Sequence, residues 1–155
     1  MIETRTSFES IVAQHRELEG LIGELREFLE ATRPEAGQKG YHTWASDLSG
    51  KLNALHDKLF RHFREEEEGG FLDQLARDNP AAVHTLETMR VEHSRMLESL
   101  RDLIRATLDY SVGEAENSPP LRRFTMSILD QLARHEARET ELLQTTYSED
   151  LGLGD

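Results

Sequence analysis

Residues 59–66 read Leu-Phe-Arg-His-Phe-Arg-Glu-Glu, which places His62 four residues before Glu66. On an α-helix, this spacing sets an imidazole and a carboxylate one turn apart on the same face. The same spacing recurs near the other end of the chain, at His135 and Glu139. Two such pairs, together with histidines on two further helices, would suffice to hold two metal ions inside a helical bundle.

The chain around these pairs has the hydrophobic pattern of long helices. Apolar residues recur at steps of three and four in four segments, separated by clusters of Gly, Pro and Asn at residues 33–40, 78–80 and 113–120. Four helices joined by short turns predict an all-α fold, an antiparallel up-down-up-down four-helix bundle over residues 1–146. Residues 147–155 are expected to form a short, loosely ordered acidic tail.

Local signals predict where these helices begin and where one of them weakens. A capping-box pattern predicts that the first helix starts near Thr6. Asn79 and Ser118 each precede a proline, which suits the first position of a helix. The second helix is expected over residues 43–77, with a weak point or kink at Gly69-Gly70.

Composition restricts the classes of partner and compartment. The chain has 155 residues and a formal net charge of −12, so it repels phosphate backbones and anionic membrane surfaces, and neither is expected as a partner. No apolar run approaches the length of a membrane-spanning helix, and no secretory signal is expected at the N-terminus. Cysteine is absent. This excludes disulfides, thiolate ligands and cysteine nucleophiles, and it suits a cytoplasmic protein.

Six polar residues interrupt the apolar stripes of the four predicted helices: His15, His62, Glu66, His93, His135 and Glu139. Counted from the predicted turns, at about 1.5 Å of rise per residue, they fall within about one helical turn of a common height. Singly, each histidine is better explained as a core residue with a hydrogen-bond partner. Together in one layer of the core, where unpaired carboxylates would be costly, the six predict a metal centre.

The types of ligand restrict the metal. Four imidazoles and two carboxylates, without cysteine, suit iron, manganese or zinc. A carboxylate can bridge two ions through its two oxygens, and Glu66 and Glu139 are the expected bridges. His15 and His62 would bind one ion, and the other two histidines would bind the second. The remaining coordination positions would take solvent, an oxo or hydroxo bridge, or a small molecule such as dioxygen.

Other histidines and carboxylates are out of phase with this layer or lie at its edge. Surface or second-layer positions are expected for His42, His56 and His84, a rim position for Glu19, and solvent-facing positions for Glu65, Glu67 and Glu68. Ferritin-like di-iron bundles use a Glu-x-x-His pattern, which is absent at these histidines. A ferritin or rubrerythrin assignment is therefore not favoured.

At these residues the chain resembles the hemerythrin-like family, often called HHE cation-binding domains. The resemblance covers about residues 8–146 and rests on four short stretches around the histidines: residues 14–18 (Gln-His-Arg-Glu-Leu), 62–67 (His-Phe-Arg-Glu-Glu-Glu), 91–93 (Val-Glu-His) and 135–139 (His-Glu-Ala-Arg-Glu). It implies a non-heme di-iron centre that binds oxygen reversibly, senses oxygen or iron, or handles nitric oxide or peroxide.

Two departures separate the chain from the oxygen-carrying members. Carriers have a second histidine four residues before the one matching His93, where this chain has Met89. They also place an aspartate five residues after the last histidine, where this chain has Thr140, and Glu139 takes that role. The resemblance therefore implies one fewer histidine than in a carrier and favours sensing, redox chemistry or iron-responsive regulation over stable oxygen carriage.

Three functions follow from this centre. The first is a non-enzymatic di-iron domain that binds or senses dioxygen, nitric oxide or peroxide. The second is an enzyme, an oxidase, peroxidase or nitric-oxide-reducing protein, and the third is an interaction module whose metal is structural. Tyr41, Tyr110 and Tyr147 are all many residues from the expected ligands, and no serine or threonine pairs with a histidine as a nucleophile. This favours binding or sensing, while the sequence does not identify a protein partner.

Overall fold

The computed structural model of the protein describes the backbone of residues 2–31, 34, 39–112 and 120–151, and side chains from residue 8 to residue 147 outside residues 32–33, 35–38 and 110–119. Its helices are α1 (Ile2–Ala31), α2 (Tyr41–Glu68), α3 (Phe71–Asp78), α4 (Val83–Val112) and α5 (Leu121–Leu151), with a 3-10 turn at Pro80–Ala82 before α4. Within these described ranges there is no strand. The prediction of an all-α fold is confirmed.

The four long helices pack around one core. Helix α1 contacts α2 and α5, and α4 contacts the same two helices. The short helix α3 contacts all four long helices. None of the helices in the described part of the chain combines the length and apolarity needed to cross a bilayer.

Two glycines separate α3 from α2. Gly70 has a φ of 82°, a left-handed conformation that costs other residues about 1–2 kcal/mol. A Cβ on Gly69 would lie 2.3 Å from the backbone oxygen of Glu65, so a larger residue would force the backbone to move. The expected weak point is therefore a complete break, after which α3 buries Phe71, Leu72 and Leu75.

The apolar core consists of two clusters with a polar layer between them. The large cluster contains Leu48, Leu52, Leu55 and Leu59 of α2, with residues of α1, α4 and α5. The small cluster contains Ile11, Phe71, Leu72, Leu75, Ala82, Leu86, Met89 and Leu143. Along α1, α4 and α5, a buried histidine lies between residues of the two clusters, and on α2 the buried His62 lies at the end of the large cluster that is nearer to α3. The layer predicted from residue counting therefore lies between two apolar regions.

Several local expectations differ from the structure. Helix α1 begins at Ile2, so the predicted start near Thr6 is wrong. Asn79 precedes the 3-10 turn but makes no side-chain cap, and its amide donates to the Thr146 hydroxyl instead. The helical period of apolar residues also predicts inward positions for Leu108 and Phe124, but both are about half exposed. The predicted start at Ser118 lies outside the described residues, and α5 continues to Leu151.

Candidate metal centre

Four histidines from four different helices meet in the polar layer. His15 comes from α1, His62 from α2, His93 from α4 and His135 from α5, and each is at most 4% exposed. Their rings contact one another in two pairs. The ring centroids of His15 and His62 are 5.0 Å apart, and those of His93 and His135 are 4.9 Å apart.

Glu139 lies between the two histidine pairs. Its Oε1 is 2.9 Å from Nε2 of His15, whereas its Oε2 is 3.3 Å from Nε2 of His135 and 3.9 Å from Nε2 of His93. The two oxygens of one fully buried carboxylate thus face different pairs. This is the geometry that a carboxylate bridge between two ions requires.

Glu66 also reaches both pairs. Its Oε1 is 2.9 Å from Nε2 of His62 and 3.8 Å from Nε2 of His93. The side chain is fully buried, and neither oxygen has a hydrogen-bond partner. All six residues predicted from the sequence are therefore brought together, with the histidines paired as expected.

Burial keeps two of these histidines neutral. Desolvation lowers the pKa of His93 to about 2, with further lowering by the charges of His135, His62 and Arg90. Desolvation also lowers the pKa of His135, although the neighbouring Glu136 and Glu92 oppose it. Their Nε2 atoms lie 3.1 Å apart. Neutral imidazoles at this distance present lone pairs that a cation can accept.

A polar group lies behind each ring, at Nδ1. His62 contacts Gln14 Oε1 at 2.6 Å, and His15 contacts the Thr140 hydroxyl at 3.2 Å. With the proton on Nδ1, both rings donate to these oxygens and keep the Nε2 lone pair directed at the centre. Thr140, at the position where carriers have an aspartate, thus orients the histidine of another helix.

Carboxylates take the same place behind the other two rings. His93 Nδ1 lies 3.3 Å from Glu67 Oε2, and His135 Nδ1 lies 3.5 Å from Glu92 Oε2. The expectation that Glu67 faces solvent is wrong, because its side chain extends from α2 towards His93 of α4 and is only about one-third exposed. A carboxylate partner fixes the tautomer of the imidazole and raises its basicity towards a metal.

Glu136 is the functional candidate that the sequence predictions missed. Its side chain is 4% exposed, and its Oε2 lies 3.0 Å from Nε2 of His15 while its Oε1 lies 3.6 Å from Nε2 of His62. Burial by itself would raise the pKa of Glu136, but the His62 and His15 imidazoles outweigh burial and hold the pKa below its usual value. The carboxyl group is therefore an anion at neutral pH.

A signal for Glu136 is present in the sequence. The residue is seven positions after Leu129 and seven before Leu143, and both leucines are buried. This second stripe runs beside the one that contains His135 and Glu139. A search for polar residues on both stripes of α5 would have found it.

The layer contains many buried polar atoms without hydrogen bonds. Among the described side chains these atoms are His62 Nε2, both oxygens of Glu66, both oxygens of Glu136, Oε1 of Glu92 and Oε2 of Glu139. An unsatisfied buried polar group costs about 1–3 kcal/mol, and more when it is charged. Cations bound among these atoms would offset that cost, so the residues present fit a metal ion.

Two overlapping groups of ligand atoms are close enough to share an ion. One group contains His15, His62, Glu66 and Glu139, the other contains His93, His135 and Glu139, and within each group the atoms lie within 4.8 Å of one another. Because Glu139 belongs to both, the arrangement can hold two ions that share a carboxylate. Nitrogen and carboxylate donors without sulfur suit iron, manganese or zinc.

The other candidates lie outside the centre. His42, His84 and Glu19 are exposed, and His56 is partly exposed and accepts a hydrogen bond from Arg101 Nε at 3.3 Å. Met89 is buried in the small apolar cluster, one turn before His93. No histidine or carboxylate therefore replaces the carrier histidine at that position.

Comparison with known proteins gives one match. The family model of the hemerythrin HHE cation binding domain matches residues 6–147, nearly the whole chain. Neither the curated proteins nor the solved structures gave a significant match.

Proposed function

Because the chain belongs to the hemerythrin HHE cation-binding family, we propose that its polar layer holds two iron ions. The proposed ligands are His15, His62, Glu66, His93, His135 and Glu139. Glu66 and Glu139 bridge the ions, together with an oxo or hydroxo group. The helices that carry them form an antiparallel up-down-up-down four-helix bundle. The proposed role is to bind or sense dioxygen or a related small molecule, nitric oxide or peroxide.

The position of Glu139 is the observation that supports two ions best. Its oxygens face opposite histidine pairs at 2.9 Å and 3.3 Å. A single ion would need only one of these pairs. The other pair and the Glu139 oxygen that faces it would then be buried without a cation. Two ions satisfy both oxygens and all four Nε2 atoms.

The choice of binding or sensing follows from the surroundings of the centre. Two iron ions, when bound, would supply redox chemistry and open coordination positions for a small diatomic ligand or peroxide. Phe63 covers one side of this space, because it packs face to face on His93 with ring centroids 3.9 Å apart. Apolar clusters close the layer on both sides.

The distribution of tyrosines favours binding over radical catalysis. The Tyr147 hydroxyl donates to Asp78 at 2.6 Å, and its ring packs against Phe8. Tyr41 packs against Trp44 in the large apolar cluster. Tyr110 lies outside the described side chains. The two described tyrosines are thus engaged elsewhere.

An optical experiment on iron-loaded protein tests this role. We expect the reduced protein to change its spectrum when dioxygen is admitted and to recover when dioxygen is removed, and azide should shift the bands of the oxidised form. Rapid irreversible oxidation with peroxide turnover would contradict a sensing role and indicate an oxidase or peroxidase. Two bound irons with no spectral response to any of these molecules would indicate a structural metal in an interaction module.

A further inference from the structure

The two motif histidines are followed by different residues, and this difference makes the centre asymmetric. On α2, His62 precedes Phe63, and on α5, His135 precedes Glu136. Both following residues are buried and point into the layer. Phe63 lies flat on the His93 ring, at 3.9 Å between centroids and 6° between planes. Glu136 instead reaches His15 and His62.

The oxygens of Glu136 have no other partner among the described residues. Neither forms a hydrogen bond, although the side chain is 4% exposed. A buried carboxylate anion without hydrogen bonds is costly unless a cation is near. Both oxygens approach Nε2 atoms, on the side of the rings where an ion would bind, and not the Nδ1 atoms behind them.

The other two carboxylates of the layer have the opposite placement. Glu67 and Glu92 approach Nδ1 of His93 and His135, where they can orient a ring but cannot reach the ion in front of it. Among the described side chains, the groups that contact Nδ1 of His15 and His62 are the uncharged Thr140 hydroxyl and Gln14 amide oxygen. Both pairs share Glu66 and Glu139 in front of their histidines. Beyond these two, the His15–His62 pair has a third carboxylate in front of it, whereas the additional carboxylates of the His93–His135 pair lie behind it.

We propose that Glu136 is a seventh metal ligand, specific to the ion held by His15 and His62, and that the two ions are therefore inequivalent. This inference rests on the proposed di-iron function. The first ion has five protein ligands: His15, His62, Glu66, Glu139 and Glu136. The second ion has four: His93, His135, Glu66 and Glu139. The residue that corresponds to Glu136 in the first motif is Phe63, which offers no ligand atom. The open coordination positions are consequently concentrated at the His93–His135 ion.

The charge of Glu136 also indicates which of the two sites binds an ion first. Before any oxo or hydroxo group is bound, two divalent cations beside Glu66 and Glu139 leave a net positive charge in a buried layer, and a third carboxylate lowers it by one unit. Because this anion contacts only the His15–His62 side, it favours that site for the first ion. The His93–His135 site fills second and exchanges its remaining ligands more readily.

Anaerobic titration of the metal-free, full-length protein with ferrous iron tests the proposal. Calorimetry should resolve two steps in the wild type, the first tighter than the second by about tenfold or more. Glu136→Gln keeps the size of the side chain and removes the anion. It should weaken the first step by more than the roughly 10- to 100-fold typical of residues that only orient a ligand. Glu92→Gln is the matched control, because it removes a carboxylate behind His135 and should weaken the second step.

Several results would overturn the proposal. An unchanged first binding step in Glu136→Gln would show that Glu136 is not a ligand. Equal weakening of the same step in both variants would show that Glu136 acts only through its charge. A Mössbauer spectrum of wild-type protein given one equivalent of enriched iron checks the idea without any variant. It should show one dominant ferrous site, and equal filling of two sites would reject the ordered centre. Wild type that binds no iron would reject the proposed function too, whereas two irons bound with equal affinity would reject only the role of Glu136.

Discussion

The two histidine pairs resemble each other in sequence spacing and differ in the structure. His62 and His135 each precede a buried glutamate by four residues, and each belongs to a pair whose rings lie about 5 Å apart. The pair containing His62 has an acidic side chain in front of it and uncharged groups behind it. The pair containing His135 has an aromatic ring beside it and carboxylates behind it.

This difference shows that a repeated ligand motif does not create two equal sites. The motif fixes which atoms point inward, because residues four apart share a helix face. The residue directly after each histidine lies about 100° further around the helix and meets the opposite pair. In this protein that neighbour is Phe63 in one copy and Glu136 in the other, so the environment of each histidine pair is decided outside the motif.

The largest predicted effect comes from the residue that both pairs share. Glu139→Ala removes the carboxylate that reaches both pairs, so we expect the iron content to fall from two per chain to less than one. Iron is counted by elemental analysis after anaerobic loading and desalting. Glu141→Ala, which removes an exposed carboxylate two residues away on the same helix, should keep both irons. If the Glu139 variant retained two irons, the shared bridge would be wrong.

The next effect separates the pairs. His93→Ala removes a ligand of the four-ligand ion and should leave about one iron per chain after treatment with a chelator. His15→Ala removes a ligand of the ion that has five protein ligands in the proposal. The remaining iron should then be the more weakly bound one, and the same chelator should remove it faster. His84→Ala, at an exposed position of α4, is the control and should behave as wild type. Equal rates of loss in the two ligand variants would contradict the asymmetry.

The smallest effect concerns the groups behind the rings. Glu67→Gln removes the charged partner of His93 Nδ1 and should weaken the binding of one iron about 10- to 100-fold. Thr140→Val removes a neutral partner of His15 Nδ1 and should weaken binding less, because hydrogen bonds to charged groups are about twice as strong as neutral ones. Both are measured by competition with a chelator of known affinity. A larger loss for the threonine variant would reverse the assignment of the two environments.

The sequence was sufficient to predict the buried polar layer because its signal is simple. Polar residues on an apolar stripe are rare, and counting from the turns compares their heights without knowledge of packing. His93 was found in this way although no carboxylate follows it four residues later, and His15 was found although Glu19, four residues after it, is exposed. The helical class followed from the same periodicity.

The features that were missed depend on packing between helices. Glu67 belongs to a run of four glutamates, and only the approach of α4 shows that one more member turns inward beside Glu66. Glu136 lies on the second inward stripe of α5, with Leu129 and Leu143, and the width of the buried face decides its environment. The full break at Gly69-Gly70 became clear from a left-handed φ and a close carbonyl contact, which composition does not reveal.

The iron content of the wild-type protein tests the central claim most directly. Metal-free protein is loaded anaerobically with excess ferrous iron, desalted, and analysed for iron and protein in the same sample. The structure and the proposed ligand set predict two irons per chain. A value of zero, or of one iron that His135→Ala does not change, would contradict a di-iron centre in this layer.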